Sequence, residues 1–133
     1  MATVQKFEDL HVWQNARGMV QDIYHATKQK PFRQDFALRD QIIGAAVSTM
    51  SNIAEGFERG TRREFIQFLN VAKASNGEVR SQLYVALDQE YVDEKAFNLM
   101  LESTKALSRR LAKLIDYLQK FPGNARRRSY DQR

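Results

Sequence analysis

No cysteine occurs among the 133 residues. That absence excludes a disulfide framework, a thiolate nucleophile, and any zinc or iron–sulfur centre held by cysteine. Proline is scarce too, with only Pro31 and Pro122, and there are six glycines. Long stretches therefore run without a strong helix breaker. The longest apolar run, Ile42-Ile43-Gly44-Ala45-Ala46-Val47, falls far short of the roughly 20 residues that span a bilayer. The segment Met1 to Trp13 carries Glu8 and Asp9 and no apolar stretch of signal-peptide type. A cytoplasmic protein with no membrane partner is the expectation.

What the chain does have is a globular composition, 43% hydrophobic and 11% aromatic, in a length that suits one domain. Its charge is unevenly placed. The formal net charge is +5, and Arg126 to Arg133, with four arginines and one aspartate, supply +3 of it. The other 125 residues carry only +2, so the basic character is concentrated in a C-terminal tail.

Apolar periodicity predicts four helices. The first covers about Asp9 to Lys28, with Val12, Trp13, Ala16, Met19, Val20, Ile23 and Tyr24 on its apolar face and Asp9 as N-cap. Lys30 to Asp35 reads as a loop around Pro31. The second helix runs from about Ala37 to Phe57, is rich in small residues, and has Gly56 and Gly60 bracketing its end. Thr61-Arg62-Arg63-Glu64 has the form of a capping box opening a third helix, Arg62 to about Asp88. After a turn at Gln89 to Asp93, Asp93 caps a fourth helix whose apolar positions, from Phe97 to Leu118, follow a three-four repeat. Short connections between long amphipathic helices imply an all-α, up-down-up-down antiparallel four-helix bundle over residues 1–121. Residues 122–133 lack periodicity and read as a flexible basic tail.

The common chemistries find no support. Glu8-x-x-His11 and Asp22-x-x-His25 resemble the carboxylate–histidine pairs of di-iron bundles. Both belong to the first helical region, however, where fourteen residues of helix hold the two histidines about 21 Å apart. They cannot share an ion, and no metal or cofactor is expected. Gly56-Phe57-Glu58-Arg59-Gly60-Thr61 lacks the lysine and the preceding strand of a P-loop. No serine stands in a Gly-x-Ser-x-Gly elbow. The expectation is a protein that is not an enzyme.

Two sets of residues stand out instead. Ser48, Ser51, Asn52 and Glu55 share one stripe of the second helix, where such poor helix formers imply solvent exposure or a hydrogen-bonded seam against another helix or a second subunit. Glu78, on the third helix, could answer that stripe. The basic clusters are Arg62-Arg63, Arg109-Arg110 and Arg126-Arg127-Arg128. The last, with Tyr130 near it, is the foremost candidate for phosphate contact, against a plain solubilising end. Arg62 and Arg63 oppose the favourable dipole sign at a helix start, which points to an anion or to a partner such as Glu58.

Several stretches carry a family resemblance. They are Phe7-Glu8-Asp9-Leu10-His11-Val12-Trp13-Gln14, then Gln41-Ile42 with Ala45-Ala46-Val47-Ser48. After them come Ser51-Asn52-Ile53-Ala54-Glu55-Gly56-Phe57 and Glu64-Phe65-Ile66-Gln67-Phe68-Leu69-Asn70-Val71-Ala72, with Glu78, Gln82-Leu83 and Tyr91. In that order, from about Phe7 to Leu118, the chain resembles the bacterial 23S rRNA intervening-sequence (S23-like) proteins. The family usually has Ile-Pro where Thr49-Met50 stand here, and often has basic residues in place of Ile43 and Gly44. The first difference predicts a straighter second helix. The second removes positive charge from that helix.

The resemblance implies a four-helix subunit that assembles into a ring-like homo-oligomer, a pentamer. The family's name reflects genomic context rather than an activity. The accessory proteins of diversity-generating retroelements are similar basic pentameric barrels that work with nucleic acid, an analogy of fold alone. Two roles follow as expectations: binding of RNA or DNA through repeated arginines, or a homo-oligomeric scaffold that engages another protein.

Overall fold

Three carboxylate or hydroxyl caps and one buried leucine set where the helices begin. In a computed structural model, which describes residues 4–120, they are α1 (His11–Thr27), α2 (Phe36–Glu58), α3 (Arg62–Asp88) and α4 (Glu94–Gln119). Asp35 opens α2 by accepting the Leu38 amide at 3.1 Å, and Asp93 opens α4 by accepting the Ala96 amide at 2.7 Å. Thr61 opens α3: its Oγ1 accepts the Glu64 amide at 3.2 Å and donates to Glu64 Oε1 at 3.1 Å. Glu64 thus reaches back to the threonine hydroxyl. Thr61→Ala removes both bonds and should destabilise the fold by about 1 kcal/mol, with Thr61→Ser close to wild type in urea denaturation.

The start of α1 departs from the sequence reading. Asp9 lies in a one-turn 3-10 helix, Phe7–Asp9, and the N-cap is Leu10, which makes no side-chain cap bond. Leu10 is fully buried, so the chain's path into α1 is fixed by a core side chain. A second one-turn 3-10 helix, Phe32–Gln34, lies in the expected loop before α2 and buries Phe32 beneath the Tyr91 ring at 5.1 Å.

Each helix packs against its sequence neighbours, and α4 closes back on α1. Ser48 meets Ser75 and Gln41 meets Gln82, so position falls along α2 as it rises along α3, the mark of an antiparallel pair. The bundle is up-down-up-down. Its core includes Ile42 and Ile53 of α2, Phe65, Leu69 and Leu83 of α3, and Leu107, Leu111 and Leu118 of α4, all essentially inaccessible. Burying each such side chain contributes about 1.5–3 kcal/mol. Two residues placed on the apolar face of the first helix sit further out: Tyr24 is exposed and Trp13 is half-buried.

The α2–α3 contact is the most extensive, and Gly56 explains why. It does not end the helix. It lies buried inside α2, and a Cβ built there would stand 2.6 Å from Phe68 Cβ and 3.3 Å from the Phe65 carbonyl oxygen. The turn falls instead at Gly60, whose φ of 89° suits glycine. At position 49 the helix runs on without interruption, and the buried Thr49 donates to the Ala45 carbonyl at 2.8 Å.

At the other end of the bundle, Tyr91 donates its hydroxyl to Asp35 Oδ2 at 2.9 Å, tying the α3–α4 turn to the cap of α2. That hydrogen bond, then partial burial and the carboxylate's charge, raises the Tyr91 pKa above its ordinary 10.0. A raised folded pKa means stability that is complete below pH 10 and lost as pH climbs through the folded value. Melting temperature should therefore fall more steeply above pH 10 in the wild type than in Tyr91→Phe.

Candidate nucleic-acid interface

The antiparallel topology sorts the basic clusters by height. The α2–α3 turn, with Arg59, Arg62 and Arg63, lies at the end of the bundle where α4 finishes. Arg109 and Arg110 stand in the second half of α4, about 14 Å from its last residue, followed by Lys113 and Lys120. Arg126, Arg127, Arg128 and Tyr130 lie outside the described residues.

These side chains are not equally available. Arg63 and Arg109 are exposed, and Arg62 is half-buried. Arg110 is exposed but bonds Asn15 Oδ1 across the α1–α4 seam. Arg59, which the sequence reading passed over, bridges Glu55 at 3.3 Å and Glu64 at 3.6 Å and lies over the Phe68 ring at 4.9 Å. Two carboxylates already occupy it, so it braces the turn. Glu64 also places a negative charge in the first turn of α3, offsetting the adverse sign of Arg62 and Arg63. The opposite end of the bundle carries Asp88, Glu90, Asp93 and Glu94 in a row around the α3–α4 turn. Lys28, Lys30, Arg33, Arg39 and Lys95 share that end, so carboxylates and cations are mixed there.

The polar stripe on α2 divides. Asn52 Nδ2 donates to the Ser48 carbonyl at 2.8 Å and to Ser48 Oγ at 3.0 Å, and Ser48 Oγ meets Ser75 Oγ of α3 at 3.1 Å. Ser51 and Glu55 are exposed, as is Glu78 on α3. The residue that reaches the stripe from α3 is the buried Ser75, one helical turn before Glu78. Beside it, Asn76 donates to the Thr104 carbonyl of α4 at 2.7 Å, which links three helices through small polar groups. His11 and His25 stand at opposite ends of α1. Among the described residues, no three or more aspartates, glutamates and histidines gather in a group that could hold a metal ion. None of the described helices is long and apolar enough to cross a membrane.

The 23S rRNA-intervening sequence protein family model matches residues 8–113, from the turn before α1 to the second half of α4. The chain belongs to that family. A crystal structure from the S23 ribosomal protein family, a protein with unknown function from Bacteroides thetaiotaomicron, is similar in fold, with a TM-score of 0.72 at 20% identity. The similarity covers 78% of this chain and 97% of that one. No curated protein matches significantly. The family match takes in Arg62, Arg63, Arg109, Arg110 and the whole polar stripe, and stops short of the C-terminal arginines.

Proposed function

We propose that this family member is a non-enzymatic homo-oligomer, a pentamer by family resemblance, that binds structured RNA or DNA through arginines repeated around a ring. One observation carries the reading. The up-down-up-down path brings Arg62 and Arg63, Arg109 and Arg110, and Lys120, the last described residue ahead of Arg126, Arg127 and Arg128, to one half of the bundle. The other end mixes Asp88, Glu90, Asp93 and Glu94 with Lys28, Lys30, Arg33 and Lys95. Such a subunit, repeated in a closed assembly with parallel axes, repeats these arginines around one rim. Multiplicity then turns weak single contacts into strong binding.

The test pairs two measurements on the full chain. Sedimentation gives the oligomeric state, and a salt titration gives affinity for a structured RNA and a duplex DNA. A multimer whose affinity falls steeply with salt supports the reading. A monomer, or a protein that binds neither nucleic acid at low salt, overturns it.

A second reading, a scaffold that engages another protein, draws on the exposed apolar side chains Phe36, Val71, Val85 and Leu99. It takes the lead if the assembly forms and binds no nucleic acid.

A further inference from the structure

The α1–α4 seam opens into a cavity of about 390 Å³ at the end of the bundle opposite the arginine clusters. Asp22 and His25 of α1 and Asp93 at the cap of α4 line it together with the apolar Ala96, Leu99 and Met100. Leu99 is 65% exposed, the most exposed large apolar side chain among the described residues. Carboxylates beside an open apolar lining suit a basic segment that also carries an aromatic ring.

The chain has one such segment, Arg126-Arg127-Arg128-Ser129-Tyr130. Its own pocket is a poor destination. From Lys120 to the level of Met100 is about 30 Å along α4. The six to eight residues from Lys120 to the triplet span at most about 20–28 Å when fully extended. That route also passes Lys113, Arg110 and Arg109, which repel it. A copy stacked end to end, its Lys120 end facing this pocket, meets neither obstacle.

We infer that the C-terminal basic segment of one copy docks in the Asp22–His25–Asp93 pocket of a second copy, its arginines on the two aspartates and Tyr130 on Leu99 and Met100. The link is heterologous, each copy both giving a segment and receiving one. It goes beyond the nucleic-acid reading and does not depend on it. It also gives the same arginines two competing uses, so that docked segments are withheld from phosphate.

The absence of cysteine makes the test direct. Two full-length variants are mixed under mild oxidant without nucleic acid: Gln29→Cys at the pocket mouth and Ser129→Cys in the segment. The expected product is a disulfide-linked pair of unlike chains. Its yield should fall about fivefold when Asp22→Asn and Asp93→Asn are added to the first variant, and when sodium chloride screens the pairing. Asparagine still caps α4, so the double variant keeps its fold. Ser81→Cys on the outer side of α3 is the control acceptor. Equal capture by Gln29→Cys and Ser81→Cys, or a yield indifferent to the aspartates, overturns the inference. So does an intramolecular bond as the main product of one chain carrying both cysteines. Because no nucleic acid is present, failure of RNA binding in a separate assay leaves this result intact.

Discussion

Gly56→Ala should lower the stability of the bundle by about 2–3 kcal/mol, whereas Gly44→Ala in the same helix should raise it by about 0.5–1 kcal/mol. Both replacements improve helix propensity by a similar amount, so the difference isolates packing. At Gly44 a new methyl meets nothing within 4 Å. At Gly56 it would stand 2.6 Å from Phe68 Cβ and 3.1 Å from Phe65 Cδ1. Phe68 Cβ is bonded directly to the α3 backbone and has no rotamer by which to leave. The neighbouring Phe65 ring is locked edge-on against Phe57 at 5.8 Å. Relief therefore requires α3 to move away from α2, loosening the most extensive helix pairing in the bundle. Urea denaturation measures the pair: midpoints should move in opposite directions with little change in slope. A neutral Gly56→Ala would mean that the two helices do not approach as closely as the structure shows.

This glycine marks where sequence reasoning stopped. Gly56 and Gly60 do bracket the end of α2 at Glu58, but only the facing helix reveals that Gly56 is a packing contact and Gly60 the turn. The bundle itself was legible because apolar spacing, Thr61 with Glu64, and Asp93 all report on local chemistry. The start of α1 was less so, since Leu10 fixes it through burial, a tertiary effect that capping rules do not see. The division of the polar stripe follows from the pairing of α2 with α3, which puts Ser48 opposite Ser75 and leaves Ser51 outside. For the candidate interface, the basic clusters were visible as residues. Which of them is already occupied was not: the carboxylates on Arg59 and the asparagine on Arg110 depend on how the helices meet.

The other large effect concerns the segment beyond the bundle. Replacing Arg126, Arg127 and Arg128 with serine in the full chain should weaken binding to structured RNA on the order of 100-fold at low salt. The slope of log affinity against log salt should drop by about three for each engaged subunit. The reasoning is counterion release: each arginine that neutralises a phosphate frees about one condensed cation, and three are removed together. Arg109→Ser with Arg110→Ser should cost less, because Arg110 must give up its bond to Asn15 before it can reach a phosphate. Arg59→Ser should leave the salt slope unchanged while reducing stability, since its partners are Glu55, Glu64 and the Phe68 ring. The order of these three variants discriminates between mechanisms. A general attraction of a basic protein for a polyanion would make every lost arginine equivalent, the slope tracking net charge alone. A built rim instead ranks them by how free each guanidinium is. Equal losses would remove the C-terminal segment from its special place; no loss in any of them would leave that half of the bundle to a protein partner.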